Sequence, residues 1–477
     1  MSAGSQETRG LAREAVGSAR VIAFGTSIVA PAVSVVALLA VVLAYAGFAS
    51  PLVVLITFVA SLCCALSIAE YARRVPSAGW AYTYNSRGLG PAAGFLTGWM
   101  MIYAYALFVP AGVALTSTYA SDLVQDAAHV TIGPWVLFPV ILAIVVLAAY
   151  LGIQTSSSAD LVLAAGEMAV IAALAITILV KIGPAHYSAA AFSPASSPND
   201  RLTDITNAMI YGITAFAGFE AAAALGEEAR HTRRSVPASI VGIVIVSGVF
   251  YLLVACAETF AAGRHGIGGL LAQPSPLDYL TSRYWSPSAL WTIQLVIFVA
   301  GLSFVIAAAN AAIRVTFAMG RERALPGSLA RLSRRQTPAV AMGCLALLTL
   351  ALGLPLTYAY GGTRTFGYLA SAGGLPVVLV YLAVNLAVIR AFRTEFRDQF
   401  RLVRHLLIPA AAVVVFLFPL WGIIRPPAYT LVNLLPFTAL GWLGLGAIAA
   451  AVLRARQPAS FETLGRAFMP AEEGKQQ

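Results

Sequence analysis

Long apolar runs, joined by short polar stretches, dominate the chain. Twelve can be laid out, at about 21–46, 51–72, 91–119, 134–152, 159–181, 205–227, 236–261, 287–319, 338–356, 366–389, 405–423 and 430–453. A helix rising about 1.5 Å per residue needs about 20 residues to cross a hydrocarbon core. Every run is long enough or nearly so, and the third and eighth are long enough to predict strong tilt. The pattern predicts an all-α integral membrane protein with 12 transmembrane helices.

Two of the runs are interrupted. The first, VIAFGTSIVAPAVSVVALLAVVLAYAG, carries Pro31 about ten residues in, flanked by Gly25, Thr26, Ser27 and Ser34. The sixth starts near Asp204, placed to cap it, and softens at Ala217 and Gly218, with Glu220 beside the break. In lipid, irregular backbone survives only where protein or a water-filled cavity surrounds it. The two breaks lie at matching depths and five spans apart, and the two spans run in opposite directions. That predicts a 5+5 inverted repeat with broken helices 1 and 6 and a substrate site between them. The organisation expected is a tail over 1–20, a first repeat over 21–181 (spans 1–5) and a second over 205–389 (spans 6–10). Spans 11–12 follow over 405–453, with a second tail over 454–477.

Composition agrees with this reading. The 477 residues are 59% hydrophobic and 10% charged, with mean hydropathy +0.82; a soluble domain carries about 25% charge. The net charge of +10 reports orientation and not a nucleic-acid partner, because the basic residues sit in the joints. With the N-terminus inside, 23 of the 30 Lys and Arg residues fall on the cytoplasmic side, among them Arg73, Arg74, Arg230, Arg321, Arg390 and Arg404. Lys181, Arg201, Arg264, Arg283, Arg364 and Arg425 fall outside, and Arg314 lies within span 8. Positive joints stay cytoplasmic, so the cell membrane, crossed many times with both termini inside, is the expected location. The polar 1–20 stretch is followed by a run of spanning length, so no cleaved signal is expected.

Several function classes are excluded by what the chain lacks. No Walker-type loop, nucleophile elbow or helix-borne histidine pair is present. The five histidines lie in joints or at span ends. Cys63, Cys64, Cys256 and Cys344 sit in apolar runs without zinc or redox spacing. Neither an enzyme nor a cofactor or metal site is expected. The spans show no continuous polar stripe or charge ring of the kind a channel needs, and no joint is long enough for a receptor's signalling domain.

Charges inside the spans carry the remaining chemistry, because an intramembrane ionisable residue is functional by default. Glu70 sits beside Arg73 and Arg74, as a solvated interface pair would, and Glu258 lies near the outer end of span 7. Glu167 in span 5 and Arg314 in span 8 lie at similar depth with opposite sign. They fit a buried ion pair or, alternatively, a carboxylate that takes up and releases a coupling proton. Glu220 fits helix-end hydrogen bonding and gate closure or, alternatively, proton coupling. At the two breaks, free N–H groups suit a carboxylate and free carbonyls an ammonium, so a zwitterion fits without charged side chains.

Three stretches resemble a known family: RRVPSAGWAYTYNSRGLGPAAGFLTGW from Arg73, AFAGFEAAAALGEEARHTRRSVP from Ala215 and NAAIRVTFAMGRERALPGSLARLSRRQTP from Asn310. They are similar to stretches of the amino acid–polyamine–organocation (APC) superfamily permeases, over about residues 15–455. The resemblance implies a LeuT-like fold, alternating access and transport of an amino acid or related amine. It implies that the substrate carboxylate meets Ala30, Pro31, Ala32, Val33 and Ser34. The amine would meet the carbonyls of Ala215, Phe216, Ala217 and Gly218, with Phe216 as a lid and Thr214 near a gate. The chain departs from the family at APAVS, where many members carry Gly-x-Gly, and at Glu167, where some proton-coupled members carry lysine. Trp99, Tyr103 and Tyr105, with Phe298, are candidates to line an apolar side-chain pocket. Span 8 has no Ser/Thr pair for sodium, since Ala307, Ala308, Ala309, Ala311 and Ala312 dominate there. The reading is therefore a secondary active, proton-coupled amino acid importer. The alternatives are an amino acid or polyamine exchanger and, more remotely, a passive channel.

Overall fold

The computed structural model describes residues 25–26, 29–75, 80–151, 157–199, 201–220, 222, 232–273, 275–333, 337–424 and 431–464. The Glu227, Glu228, Arg230, Arg233 and Arg234 cluster after span 6 lies outside the residues whose side chains are described, as do both tails for most of their length.

Among the described residues every regular element is helical. The first segment is helical at residues 25–26 and 29, resumes past Ala30 as a single turn, α1 (Pro31–Val33), continues as a π-helix (Ser34–Leu39) and ends as α2 (Ala40–Ala46). Then follow α3 (Ser50–Ala72), α4 (Trp80–Leu89), α5 (Pro91–Ala128), α6 (Pro134–Leu151) and α7 (Ser157–Ile182). A joint of short 3-10 turns leads to α8 (Arg201–Thr214), α9 (Thr232–Leu271), α10 (Pro276–Tyr284) and α11 (Leu290–Arg321). The chain closes with α12 (Ala339–Tyr360), α13 (Gly362–Thr394), α14 (Ile408–Ile424), α15 (Leu431–Arg456) and α16 (Pro458–Glu462).

Local chemistry sets the boundaries. Helix α5 begins with Pro91 at its first position after Gly90 at φ 106°, where proline's missing N–H costs nothing. In α10, Ser275 caps the helix by accepting from the Asp278 N–H at 3.3 Å. Asp204 lies one turn inside α8 and not at its cap. Its Oδ2 accepts from the Asn199 N–H at 2.8 Å, so it ties down the incoming joint.

Ten helical stretches among the described residues are long and apolar enough to cross a membrane. One of them, Pro31–Ala72, has 42 residues and would be about 63 Å long if straight, twice a hydrocarbon core. It is interrupted at Gly47, φ 55°, where a side chain would collide with the Pro198 ring at 2.8 Å. The sixth apolar run is absent from the ten because α8 has 14 residues and its continuation lies largely outside the described residues. The chain is a multi-pass membrane protein.

Burial shows what sits in the middle. The most apolar windows of α13 and α5 are 78% and 72% buried, whereas that of α12 is 17% buried. Helices α5 and α13 therefore form the axis, flanked by α4, α8 and α11, while α12, α14 and α15 present apolar faces to lipid. Lipid tails are as apolar as leucine, so close backbone approach matters more than apolar burial here. At Gly362 a Cβ would lie 2.2 Å from the Ala114 carbonyl oxygen, and at Gly422 2.8 Å from the Thr206 backbone. These glycines let α13 meet α5 and let α14 meet α8.

Candidate functional site

Ala30 is the first break. Its backbone is left-handed at φ 44°, ψ 67°, a conformation that is uncommon and strained for a residue with a Cβ. The Ala30 N–H still closes on the Thr26 carbonyl at 2.9 Å, and the Ser34 N–H closes on the Ala30 carbonyl at 3.0 Å. Between them Pro31 has no N–H to orphan, so the new helix starts with the donors of Ala32 and Val33.

The second break follows α8. Phe216 and Ala217 donate to Ile213 and Thr214 at 3.0 and 2.9 Å, tightening the last turn to 3-10 spacing. The chain then passes through Gly218 at φ 111°, which only glycine adopts readily. The Gly218 N–H donates to Glu220 Oε2 at 2.9 Å, and the Tyr381 hydroxyl on α13 donates to the same oxygen at 2.6 Å. Glu220 is 1% exposed. Its carboxylate satisfies a donor released by the break and ties the break to α13.

The breaks touch each other. Ser34 Oγ lies 3.1 Å from the Val29 carbonyl oxygen and 3.3 Å from that of Ala215. Its single hydrogen serves one of them at a time or is shared. The Tyr251 hydroxyl, from α9, also donates to the Ala215 carbonyl at 2.8 Å.

A cavity opens between the breaks, with about 530 Å³ of space counted out to its mouth, open solvent included. Val29, Ala30, Val33, Ser34 and Leu38 form one wall, and Thr214, Ala217, Gly218 and Glu220 another. Met101, Tyr105 and Phe108 from α5, Phe304 and Ala308 from α11, and Phe366, Ala370 and Val377 from α13 complete it. Most of this surface is hydrocarbon. The polar groups are Ser34, Thr214, Tyr105 and Glu220, together with the broken backbones. Gly374 leaves room for Thr214, whose Oγ1 would lie 2.5 Å from a Cβ there.

Of the residues singled out from sequence, the cavity brings together Ala30, Val33, Ser34, Thr214, Ala217, Gly218, Glu220 and Tyr105. Pro31, Ala32 and Ala215 are buried beside it and do not line it. Phe216 turns away from it. Its ring stacks on Phe58 with centroids 6.1 Å apart and meets Tyr251 edge-on at 5.1 Å. Trp99 and Tyr103 face α15: Trp99 stacks on Trp442 at 4.5 Å, and the Tyr103 hydroxyl reaches Thr438 Oγ1 at 2.6 Å. Phe298 packs at the edge of the core, outside the cavity. Met101, Tyr105 and Phe108 occupy one face of α5 at i, i+4 and i+7, and Trp99 and Tyr103 another. Helical spacing separates the two sets, but it does not say which face looks inward.

Glu167 and Arg314 do not meet. Glu167 is 8% exposed on α7, Arg314 on α11 is exposed, and no ion pair joins them among the described residues. Neither lines the cavity. Glu258 is buried on α9. Glu70 holds Arg73 and Arg74 at 3.1 and 3.0 Å.

Comparison with known proteins agrees with this architecture. A family model described as amino acid permease matches residues 21–440. The branched-chain amino acid permease BcaP of Lactococcus lactis subsp. cremoris is 24% identical over 408 residues, 79% of this chain and 83% of its own. The methylthioribose transporter of Bacillus subtilis is 22% identical, over 83% and 85% of the two chains. The low-affinity putrescine importer PlaP of Escherichia coli K12 is 24% identical, over 70% and 71%. With a single helical body, two interrupted segments around one cavity and a family match over nearly its whole length, the chain belongs to the amino acid permease family of the APC superfamily.

Proposed function

We propose that this protein is a secondary active transporter that imports an amino acid across the cytoplasmic membrane, coupled to protons, by alternating access. The observation that carries the reading is the shared cavity of the two broken segments. It has an apolar wall for a side chain and interrupted helical backbone beside Ala30 and Gly218 for a zwitterion's two charges. The N–H groups of Ala32 and Val33 suit the carboxylate. Ala217 and Gly218, which line the cavity, suit the ammonium better than Ala215, whose carbonyl already has donors. Thr214 lies at the gate-side wall.

In this reading twelve spans form a LeuT-like 5+5 inverted repeat over 21–181 and 205–389, with both termini cytoplasmic. The arginine distribution and the two matched breaks support it. Glu167 and Glu220 are the carboxylates proposed for proton coupling and gating, and Arg314 is a cation on the neighbouring span. The Glu220 carboxylate on the cavity wall also favours a second reading, an amino acid or polyamine exchanger, because it offers a counter-charge to an amine. A relative named as a putrescine importer is consistent with a polyamine as substrate.

Radiolabelled uptake into proteoliposomes across an amino acid and polyamine panel separates the readings. Accumulation driven by an imposed inward proton gradient is expected, with no response to sodium. Uptake that follows only internal counter-substrate would replace symport with exchange.

A further inference from the structure

The joint between the end of α3 and the start of the chain's penultimate long helix concentrates positive charge around one carboxylate. Glu70 Oε1 lies 3.1 Å from Arg73 and 3.8 Å from Arg404, and Oε2 lies 3.0 Å from Arg74. Oε2 is also 3.6 Å from His405 Nε2. Three guanidiniums thus share a single negative charge, and Arg401 stands one helical turn before His405. Arg74 is further committed, donating to Gln399 at 2.8 Å and lying over the Phe392 ring at 4.6 Å. Among the described residues, Arg73 and Arg404 are not engaged in this way. Their side chains are 48% and 54% exposed, and each has most of its five donors turned outward. Because both approach the same oxygen, their NH1 atoms lie within about 7 Å of each other.

The surroundings define the depth of this cluster. Leu402, Val403 and Leu407 are each more than half exposed; the last two lie on the π-helical turn (Val403–Leu407) that carries Arg404, and Leu402 caps it. Exposed aliphatic side chains interleaved with arginines mark the boundary where acyl chains end and headgroups begin. Of the acids just before Arg404 in the chain, Glu395 pairs with Arg87 and Asp398 is exposed.

We infer that Arg73 and Arg404 hold the phosphate of an anionic phospholipid, whose acyl chains lie along Leu402, Val403 and Leu407. Two guanidiniums less than a headgroup's width apart match phosphate oxygens through paired N–H donors, and the net positive charge left after Glu70 selects an anionic over a zwitterionic headgroup. The lipid pins the end of α3 to the start of the Ile408–Ile424 helix from outside. Only the name of the leaflet, the inner one, rests on the orientation proposed above.

The test is lipid binding to the full-length protein in detergent micelles, read by native mass spectrometry while phosphatidylglycerol or phosphatidylcholine is titrated. Wild type is expected to retain phosphatidylglycerol selectively. Each surface arginine contributes roughly a factor of five to anionic-lipid binding, so Arg73→Gln/Arg404→Gln should bind about twenty-five-fold more weakly. The Lys/Lys double variant should fall between, and Arg454→Gln/Arg456→Gln, elsewhere on the same side, should match wild type. If the double variant does not fold, Arg404→Gln alone should weaken binding about fivefold. Unchanged affinity in the Gln variants, an equal loss in the Arg454/Arg456 control, or full displacement by equimolar inorganic phosphate would overturn the proposal. The readout is binding and not uptake, so its failure is separable from that of the transport reading.

Discussion

The hydroxyl of Tyr251 donates to the carbonyl of Ala215 at 2.8 Å, across from Ser34 Oγ at 3.3 Å on the same oxygen. The Ala215 carbonyl, opened by the break after α8, is therefore held from two sides by α9 and by the first broken segment. This narrows the proposed ammonium contact to Ala217 and Gly218. It also makes Tyr251 a brace for the break.

A double-mutant cycle tests the brace. Tyr251→Phe or Ser34→Ala alone leaves the carbonyl one donor, so each should lower stability by about 1 kcal/mol. Together they strand a buried carbonyl, and the loss should exceed the sum of the singles by about 1 kcal/mol or more. Thermal unfolding of the purified protein reads all four states. Strict additivity would mean that the two hydroxyls do not share this acceptor.

The cavity makes a sharper prediction about binding than the aromatic residues of α5 do. Ala308 is 1% exposed and lines the cavity, so Ala308→Phe should fill it and abolish uptake in protein that still elutes as a folded monodisperse species. Trp99→Ala should do the opposite. Removing a ring stacked on Trp442 should cost about 3–5 kcal/mol of stability while leaving KM unchanged for the protein that folds. Wild-type uptake by Ala308→Phe would put the substrate elsewhere.

Glu167 and Arg314 divide cleanly. Glu167→Gln should remove gradient-driven accumulation while leaving counterflow exchange. Arg314→Gln should leave both, because Arg314 is exposed and no ion pair joins it to Glu167. Paired uptake and counterflow assays decide it; survival of both activities in Glu167→Gln would make Glu167 structural.

Outside the membrane, Asp278 gives a pH dependence. Burial, with Asp122 and Asp126 adding repulsion against the Ser275 hydrogen bond, pushes its carboxyl up to about 6. The folded protein then holds this proton more tightly than the unfolded chain. Its contribution to stability is complete below about pH 4 and is lost as pH rises through about 6. Asp278→Asn, neutral throughout, should therefore raise Tm relative to wild type at about pH 7.5 and leave it unchanged at about pH 4. An equal effect at both values would mean that the carboxyl does not titrate differently on folding.

Much of the site was legible in the chain because its causes are local. Pro31 withholds an N–H and Gly218 permits a positive φ, so both breaks can be read from a few consecutive residues. Phe216 was assigned to the lid by resemblance, yet its ring packs between Phe58 and Tyr251, because Gly248 leaves the space that Phe58 fills: a Cβ there would lie 2.1 Å from that ring. Trp99 and Tyr103 share α5 with Met101, Tyr105 and Phe108, and composition favours neither set. The pairing of Trp99 with Trp442, 343 residues away, commits one face outward.

By itself the sequence determined that this chain lives in lipid, where its helices run and where two of them break. Those properties follow from transfer free energy summed over some twenty residues and from backbone rules that act within one turn. Only the tertiary structure decided how each helix is rotated about its axis. That rotation turns Phe108 and Phe304 to the cavity, spends the Ala215 carbonyl on Tyr251, keeps Arg314 from Glu167 and brings Arg404 to Glu70. Lipid and protein interior are equally apolar, so hydrophobic pattern cannot distinguish the two faces of such a helix; close packing at Gly362, Gly374 and Gly422 and hydrogen bonds between distant residues do.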